Sequence, residues 1–349
     1  MPKREPPQDR NSSSKKRQKV EEPEEEYNTS DDQGEVDEGT EDYKPGGYHP
    51  VTIRETYNDR YVILRKLGWG HFSTVWLAED KKSSNHVALK FVKSASHYTD
   101  AARDEIQLLN AAGKHDRPDE KHIVRLLDDF EHEGPNGNHV VMVFEVLGKH
   151  LLDLIEKHHH GLDDAVIKSI TKQILVGLDF LHTKPKIIHT DLKPENVLLI
   201  ESFKLEGDDF SPDESQLVTQ IKIADLGNAC WVDKHFSDDV QTRQYRSPEV
   251  ILRCSYGPSA DLWSLGCMVF EMATGDLLFK PKKSSSHGKS DDHLALMMEL
   301  LALESIPESM RKGKRYGKYA NGTGQLQKIR DLKHWDLPNV LKDKYEFSS

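Results

Sequence analysis

The segment Ile187–Ile200 reads IIHTDLKPENVLLI, a short polar stretch between two apolar runs. Apolar ends anchor such a loop in a core, which holds Asp191, Lys193 and Asn196 outward at fixed spacing. A carboxylate at position 191 can accept a proton from a hydroxyl group, the ammonium at 193 can meet charge developing on a phosphate, and the amide oxygen at 196 can bind a divalent cation. The spacing therefore predicts a site for a hydroxyl group, a phosphate and a metal ion.

A second carboxylate follows a short predicted strand further along the chain. The segment Ile221–Gly227, IKIADLG, places Asp225 after an apolar run and before a glycine. Hard oxygen ligands that leave room for water suit Mg²⁺, so Asp225 can join that ion to nucleotide phosphates. Each segment alone is compatible with an ordinary loop beside a capped helix. Both together, in this order, favour phosphate chemistry.

Two earlier motifs supply further groups of this kind. Between the first two predicted strands lies GWGHFS, with Gly68 and Gly70 where the backbone passes close to another group; taken alone, such a hairpin is compatible with a simple turn. Lys90 lies in VALK on the third predicted strand, between apolar neighbours, and a buried ammonium needs an opposite charge. Glu105, fifteen residues further on a predicted helix, can provide it.

A β-rich segment must position these residues. Runs of β-branched and aromatic residues between turn residues predict an antiparallel meander that two further runs complete to five strands. The predicted strands are Arg60–Gly68, Ser73–Asp80, His86–Lys93, Ile123–His132 and His139–Val146. One amphipathic helix, Thr99–Ala112, interrupts them, with Thr99 as its N-cap.

After residue 148 the pattern is helical. Apolar residues recur at helical spacing in Ala165–His182, and Ser259–Thr274 is apolar enough to be a core helix. We therefore predict an α+β fold of two lobes, β-rich and then helical, with the polar motifs in the cleft between them.

Composition excludes several classes of protein. The chain has 349 residues, 36% hydrophobic and 31% charged, with a net charge of −11, which suits a soluble globular protein. No apolar run approaches the roughly 18 residues of a membrane-spanning helix, and none follows the basic start, so we expect no membrane role and no secretory signal. Three cysteines without metal-site spacing indicate a reducing compartment and no structural metal. The acidic balance argues against direct nucleic-acid binding.

The first fifty residues differ from the rest. They hold 14 acidic and 8 basic residues and no Leu, Ile or Phe, so burial cannot offset the entropy of ordering them. We predict a disordered acidic tail over residues 1–50. Its block Glu21–Asp42 is either a solvated segment or a partner-binding one, and the cluster Lys15, Lys16, Arg17 and Lys19 is either a nuclear import signal or a chance cluster.

Together the motifs GWGHFSTVW, VALK, HTDLKPEN, DLG and SPE resemble the eukaryotic protein kinases. The match covers most of residues 54–349. Within that superfamily, the long run YHPVTIRETYNDRYVILRKLGWGHFSTVWLAED and the segments VFEVLG and QTRQYRSPEVIL look like the SR-protein kinases of the CMGC group, which phosphorylate serines in Arg-Ser tracts of splicing factors. The resemblance implies a bilobal kinase fold, with an N-lobe at residues 54–147 and a C-lobe at 148–349.

The resemblance also implies roles for individual residues. Lys90 holds the α- and β-phosphates of ATP and pairs with Glu105. Asp191 is the catalytic base and Lys193 contacts the γ-phosphate, while Asn196 and Asp225 hold Mg²⁺. The implied nucleotide-binding residues are Gly68, Trp69, Gly70, His71, Phe72, Ser73, Val75, Ala88, Lys90, Glu145 and Leu147, with the hinge at Phe144–Leu147. The implied substrate-docking carboxylates are Asp276, Asp292 and Glu299; without the resemblance they read as ordinary solvated charges.

Three departures from the usual kinase pattern stand out. Thr190 occupies the place where most kinases have an Arg that binds an activation-loop phosphate, so we expect an enzyme that needs no activating phosphorylation. Twenty-eight residues separate Asn196 from Asp225, which indicates a solvated insert at about residues 201–218. The chain ends soon after Tyr345, which predicts an incomplete C-lobe in which Glu249 lacks the Arg partner that the resemblance implies.

The sequence therefore predicts a serine/threonine protein kinase that uses ATP and Mg²⁺ and phosphorylates Arg-Ser-rich proteins, as a monomer in cytoplasm and nucleus. Two alternatives stay open. One is a catalytically impaired module that binds Arg-Ser tracts because the C-lobe is incomplete. The other is a kinase closer to proline-directed or dual-specificity relatives, with another substrate.

Overall fold

The computed structural model describes residues 38–115, 122–200, 203–206, 209–212 and 220–347. The strands are β1 (Thr56–Tyr57), β2 (Tyr61–Gly70), β3 (Ser73–Asp80), β4 (Asn85–Val92), β5 (Leu126–Gly134), β6 (Gly137–Glu145), β7 (Ile187–Ile188), β8 (Val197–Leu199), β9 (Phe203–Glu206), β10 (Asp209–Pro212), β11 (Ile221–Ile223) and β12 (Cys230–Trp231). The helices are α1 (Ser96–Gly113), α2 (Leu151–Lys157), α3 (Asp164–Thr183), α4 (Pro248–Ile251), α5 (Ser259–Thr274), α6 (Lys289–Leu300), α7 (Tyr316–Tyr319) and α8 (Leu337–Tyr345).

The first six strands form one antiparallel sheet in the order β1-β2-β3-β4-β6-β5. The sheet has six strands instead of the predicted five, because the two-residue strand β1 pairs with the start of β2. Lys90 lies on β4, opposite Val75 on β3 and Met142 on β6. Lys90 is thus on a central strand, where pairing on both sides fixes its backbone.

Helix α1 packs on this sheet and carries Glu105. It begins at Ser96, three residues before the predicted start, and Ala95 is its N-cap instead of Thr99. The start is set by a distant segment, because the N–H groups of Ser94 and Ala95 donate to the carbonyl oxygens of residues 47 and 46. Local capping preference is overridden by this contact.

The helical lobe is built around α3 and α5. Apolar residues at helical spacing on α3, such as Ile170, Ile174 and Leu178, are at most 1% exposed and belong to the same core cluster as Leu265 and Met268 on α5. Helix α5 ends at Gly275, whose φ of 74° is the left-handed conformation that terminates helices. In the described ranges no helix combines the length and the apolar character needed to cross a membrane.

Part of the predicted tail packs on the N-lobe. Residues 38–51, which we call the N-terminal strap, include Tyr48 and His49, and these side chains are only 2% and 4% exposed. The prediction that all of residues 1–50 are a disordered tail is therefore wrong for residues 38–50. Residues 1–37, with the basic cluster and most of the acidic block, lie outside the described residues.

Two other regions differ from the sequence-based picture. The predicted insert contains an antiparallel hairpin, in which β9 pairs with β10, and the other residues of 201–219 lie outside the described ranges. Near the end of the chain, α8 packs against the C-lobe through Tyr345, whose ring meets Phe270 edge-on at 5.5 Å. Glu249 is half-buried, and no ion pair to it occurs within the described parts of the chain.

Candidate active site

Three charged side chains meet at the back of the cleft. The ammonium of Lys90 is 2.9 Å from both carboxylate oxygens of Glu105 and 3.4 Å from Oδ1 of Asp225. Burial lowers the pKa of Lys90, but the two carboxylates outweigh burial and raise it overall. Burial in turn favours protonation of Asp225, and the charge of Lys90 more than compensates, so the pKa of Asp225 is below its usual value. Lys90 is therefore charged and held facing the DLG segment.

Gly227 of this segment allows the close packing. A Cβ atom at Gly227 would lie 3.1 Å from Oδ1 of Asp225 and 3.3 Å from Oε2 of Glu105. A side chain there would push against both carboxylates that hold Lys90. This explains why a glycine follows the predicted metal-binding carboxylate two residues later.

The carboxylate of Asp191 is held from several directions. Its Oδ1 accepts hydrogen bonds from the backbone N–H of Thr242 at 3.0 Å and from the hydroxyl of the same residue at 2.7 Å. Its Oδ2 accepts from Nδ2 of Asn228 at 3.3 Å and lies 3.6 Å from Nζ of Lys193. The side chain is thus fixed in orientation at the cleft, with a lysine beside it.

Sequence reasoning missed the residues that fix this loop, foremost Asp261. This fully buried residue of α5 accepts hydrogen bonds from the backbone N–H groups of His189 and Thr190, both at 2.8 Å, and its Oδ2 lies 2.7 Å from Nε2 of His182. The available signal was an acidic residue near the start of a largely apolar helix. Its burial requires such partners.

His189 connects the loop that carries Asp191 to the segment that carries Asp225. The backbone N–H of Asp191 donates to Nδ1 of His189 at 3.2 Å, so Nδ1 is the acceptor nitrogen. Nε2 is then the protonated nitrogen, and it donates to the carbonyl oxygen of Ala224 at 3.0 Å. One imidazole therefore sets the relative position of Asp191 and Asp225.

Non-glycine residues with left-handed backbone surround the site. Thr190 has φ 63°, Asp225 has φ 60° and Gln241 has φ 67°. Such conformations cost on the order of 1–3 kcal/mol each and persist only where the surroundings enforce them. Strained backbone is often found at functional sites, and these three residues lie on the segments around Asp191.

The segment after DLG is held by hydrogen bonds from its own residues and from Thr190. The hydroxyl of Thr190 donates to the carbonyl oxygen of Asn228 at 2.7 Å. The amide of Gln241 donates to Ser264 Oγ at 3.0 Å and accepts from the backbone N–H of Ser247 at 2.9 Å. Arg246 donates to the backbone oxygen of Gln241 at 2.7 Å. The segment is thus tied to the catalytic loop and to α5 without a phosphate.

Asn196 and Asp225 fit a magnesium ion that is shared with phosphates. Nδ2 of Asn196 donates to the backbone oxygen of Asp191 at 2.8 Å, which leaves its Oδ1 as the free acceptor. In the described part of the chain, no group of three or more His, Cys, Asp and Glu side chains is placed to hold a metal on its own. Two oxygen-bearing side chains are what Mg²⁺ uses when substrate phosphates and water complete its shell.

The glycine-rich hairpin of the predicted nucleotide pocket has free space beside its backbone. A Cβ atom at Gly68 or Gly70 would meet nothing within 4 Å, so packing within the protein does not account for these glycines, and a ligand can approach their backbone closely. Trp69 and Phe72 at the hairpin tip are about half exposed. At the hinge, the carboxylate of Glu145 accepts from Nζ of Lys222, a second residue that the sequence analysis missed.

The other predicted nucleotide-binding residues lie around this pocket. Ser73 and Val75 are on β3, and Ala88 is on β4 opposite Phe144 of the hinge. His71 and Leu147 lie in the segments that follow β2 and β6. The structure therefore brings the predicted pocket residues to the two strands and the hinge beside Lys90.

The three predicted docking carboxylates are engaged by partners within the chain itself. Asp276 follows α5 and accepts from Nζ of Lys280, the hydroxyl of Tyr345 and Nζ of Lys344, at 2.9, 2.8 and 3.1 Å. The hydrogen bond from Lys280 is the main cause that lowers its pKa. On α6, Asp292 accepts from a backbone N–H at 2.7 Å, and Glu299 does the same. A substrate arginine would have to share or replace these partners.

Comparisons with known proteins agree with this geometry. The protein kinase domain family matches residues 61–321. The serine/threonine-protein kinase SRPK of Physarum polycephalum is 51% identical, over 89% of this chain and 83% of that protein. Protein kinase dsk1 of Schizosaccharomyces pombe is 39% identical, over 90% and 79%. SRSF protein kinase 3 of Homo sapiens is 35% identical, over 91% and 85%.

Proposed function

Because this chain belongs to the SR-protein kinase family of serine/threonine protein kinases, we propose that it transfers the γ-phosphoryl group of ATP to serines in Arg-Ser-rich proteins such as splicing factors. The observation that carries the proposal is the fixed carboxylate of Asp191, held by Thr242 and Asn228 beside Lys193. This is an arrangement suited to a serine hydroxyl at one side and a phosphate at the other.

In this mechanism the serine oxygen forms a bond to the γ-phosphorus of ATP while the bond from that phosphorus to the β–γ bridging oxygen breaks and ADP leaves. Asp191 receives the hydroxyl proton of the serine. The hydrogen bonds from Thr242 fix Oδ1, so the carboxylate needs no reorientation when the serine binds. The ammonium of Lys193 lies 3.6 Å from Oδ2 of Asp191 and 3.4 Å from the hydroxyl of Thr242, where it stabilises negative charge on the transferred group.

The opposite side of the cleft holds the nucleotide. Lys90, kept charged by Glu105, binds the α- and β-phosphates, and Asn196 and Asp225 provide the oxygens for Mg²⁺. When bound, Mg²⁺ neutralises phosphate charge and aligns the terminal phosphate. The open backbone at Gly68 and Gly70 lets the glycine-rich hairpin approach the phosphates closely.

Acidic side chains support the proposed preference for arginine-rich substrates. Guanidinium groups pair bidentately with carboxylates, and Asp276, Asp292 and Glu299 offer such groups on the C-lobe. The name of the human relative, SRSF protein kinase 3, points to the same substrate class. Asp276 already pairs with Lys280 and Lys344 of this chain, so a substrate arginine would bind there by replacing or sharing these lysines.

Further parts of the proposal concern the setting of the enzyme. We propose that it acts as a monomer, in cytoplasm and nucleus, on protein substrates and without direct contact to nucleic acid or membrane. The basic cluster at Lys15, Lys16, Arg17 and Lys19, which lies outside the described residues, is the candidate import signal. The alternative of a catalytically impaired binding module gains no support from relatives that are all named as kinases.

Phosphate transfer to a repeat peptide tests the proposal. The purified chain is given ATP labelled at the γ-phosphate, Mg²⁺ and either an Arg-Ser repeat peptide or a Lys-Ser peptide of equal length. We expect transfer to the Arg-Ser peptide, a clear preference over the Lys-Ser peptide, and no transfer by Asp191→Ala protein. Equal use of both peptides would reject the substrate class, and no transfer to any serine peptide would reject the activity.

A further inference from the structure

The N-terminal strap touches the tip of the glycine-rich hairpin. The hydroxyl of Tyr48 donates a hydrogen bond of 2.7 Å to the backbone oxygen of Gly70, the last residue of β2. Tyr48 is buried against the lobe, so this contact has little freedom. The backbone of the hairpin is thereby held at Gly70, one of the two glycines of the predicted nucleotide-binding hairpin.

The strap also holds a buried cation on the strand of the catalytic lysine. Lys93 follows β4 three residues after Lys90, and it is 5% exposed. Its Nζ is 2.7 Å from Oδ2 of Asp42 and 4.3 Å from the centre of the Tyr48 ring. A buried ammonium needs such partners, and an aromatic face and a carboxylate both supply negative potential. The hydrogen bond from Lys93 lowers the pKa of Asp42, which remains ionised.

Backbone hydrogen bonds extend the strap to the start of α1. The N–H groups of Ser94 and Ala95 donate to Gly47 and Gly46 at 3.1 and 2.9 Å, directly before the helix that carries Glu105. A tight turn makes this possible, because a Cβ atom at Gly47 would lie only 1.9 Å from the backbone oxygen of Asp42. No side chain is tolerated there without a shift of the strap.

A second anchor keeps Tyr48 in place from the other side. The ring of His49 stacks on Phe91 at 5.6 Å and lies 4.6 Å from the ring of His132. Its Nε2 is 2.9 Å from the hydroxyl of Tyr57. Burial lowers the pKa of His49 to about 4, so the ring is neutral near pH 7 and packs as an aromatic side chain.

We propose that the N-terminal strap is part of the nucleotide-binding machinery and that Tyr48 is a positioning residue for it. The strap joins three parts of the nucleotide pocket: the hairpin tip at Gly70, the strand of Lys90 through Lys93, and the start of the Glu105 helix through Ala95. Trp69 and Phe72 at the hairpin tip are about half exposed. The tip is held by the ring of Phe72, 5.4 Å from that of Tyr98, and by the hydrogen bond from the Lys93 N–H to the Phe72 oxygen, and the hydrogen bond from Tyr48 to Gly70 adds a further restraint on its motion. The inference rests on the nucleotide site of the proposed function.

Loss of a single hydroxyl group tests the role of Tyr48. Tyr48→Phe keeps the ring beside Lys93 and removes only the hydrogen bond to Gly70. The matched control is Tyr61→Phe. Tyr61 is 1% exposed in the same lobe, and its hydroxyl donates to Oδ2 of Asp128 at 2.7 Å, away from the hairpin tip. The probe is ADP with Mg²⁺, whose Kd is measured by titration calorimetry, together with hydrogen exchange of the peptide that spans residues 68–73.

We expect Tyr48→Phe to raise the Kd of Mg-ADP and the KM for ATP by about three- to tenfold, the effect of one net hydrogen bond. Exchange in residues 68–73 should become faster, and the KM for peptide should stay unchanged. Tyr61→Phe should alter neither nucleotide affinity nor exchange at the tip. Asp42→Asn should weaken nucleotide binding in the same direction, because Lys93 loses its charged partner.

Two results would overturn the inference. One is an unchanged Kd and unchanged exchange at residues 68–73 in Tyr48→Phe protein. The other is an equal loss of nucleotide affinity in both tyrosine variants, in step with lower melting temperatures, which would mean that Tyr48 serves general stability only. If the unaltered chain fails to bind Mg-ADP, the proposed nucleotide site itself is wrong, and the two failures are therefore distinguished.

Discussion

Thr190 donates its hydroxyl hydrogen bond to the backbone oxygen of Asn228 at 2.7 Å, and so joins the catalytic loop to the segment that follows Asp225. In most kinases this place belongs to an arginine that binds a phosphate. Here the neutral hydroxyl of Thr190 joins the two segments. Further along the chain, Gln241 accepts a hydrogen bond from the N–H of Ser247, and Arg246 donates to the backbone oxygen of Gln241.

The first prediction concerns activation. Protein expressed without any phosphorylation should be fully active, because Thr190 and Gln241 hold the segment without a phosphate. The measurement is kcat on an Arg-Ser peptide before and after phosphatase treatment, with intact mass as the control for phosphate content. If activity appears only after an upstream kinase has acted, the interpretation of Thr190 is wrong.

A second prediction concerns catalysis. Asp191→Ala should lower kcat by about 10³-fold or more with little change in the melting temperature, since proton transfer and positioning depend on this carboxylate. Lys90→Met should lower kcat/KM for ATP by at least about 10²-fold. Steady-state kinetics and thermal unfolding of each variant check this. Near wild-type turnover by folded Asp191→Ala protein would refute the assignment of the base.

Substrate docking gives a third prediction. Replacement of Asp276, Asp292 and Glu299 by alanine should raise KM for a long Arg-Ser tract by about tenfold, because each exposed ion pair contributes a fraction of a kcal/mol to about 1 kcal/mol. A peptide too short to reach the C-lobe surface should keep its KM. The wild-type advantage should shrink as salt is raised, since exposed charges are screened.

The same variant needs a control for stability, because Asp276 also holds Lys344 and Tyr345 of α8. Tyr345→Phe removes one of these contacts without removing the carboxylate, and it should leave long-peptide KM unchanged. Equal loss of activity on short and long peptides would indicate a folding defect. No loss on either would return the three carboxylates to ordinary solvated charges.

A fourth prediction concerns acid stability. His293 is fully buried, neither ring nitrogen has a partner among the described residues, and burial lowers its pKa to about 3, with Arg243 and Arg246 acting in the same direction. The unfolded chain binds a proton at this ring near pH 6.5, but the folded protein does not. The contribution of the neutral His293 ring to the free energy of unfolding is therefore fully present above pH 6.5. It is lost at about 1.4 kcal/mol per pH unit as the pH is lowered toward 3.

His293→Leu should remove this contribution. Urea unfolding of both proteins between pH 5 and 7.5 measures it, and the variant should lose less stability than the wild type as the pH falls. His49, with a pKa of about 4, adds a similar slope in both proteins and is the internal reference. Identical pH dependence of the two proteins would show that the ring at 293 is protonated in the folded state.

The loop that holds Asp191, Lys193 and Asn196 was predictable because the spacing of these residues is local, while their catalytic roles stay a prediction. Asp191, Lys193 and Asn196 lie within six residues, and a polar loop between buried strands needs no distant information. Lys90 and Glu105 followed from the rule that a buried charge needs a partner, and their distance of 2.9 Å agrees with it. The kinase family and the bilobal α+β fold, both inferred from these motifs, are confirmed.

Contacts between distant segments were not predictable. Composition alone classified residues 38–50 as tail, because the strap has few apolar residues and is stabilised by single contacts such as Tyr48 on Gly70. The start of α1 was misplaced for the same reason, since Gly46 and Gly47 determine it from fifty residues away. The docking role of Asp276, Asp292 and Glu299 stays a prediction, and the bonds of Asp276 to Lys280 and Lys344 depend on tertiary packing.

Asp261 has a consequence for how this enzyme loses function. A carboxylate at the centre of the C-lobe core receives the backbone N–H groups of His189 and Thr190, so the catalytic loop has no conformation of its own apart from that core. Loop and core therefore form one cooperative unit. Turnover and the far-ultraviolet circular dichroism signal should then be lost at the same denaturant concentration. The residual activity is in that case proportional to the fraction of native molecules.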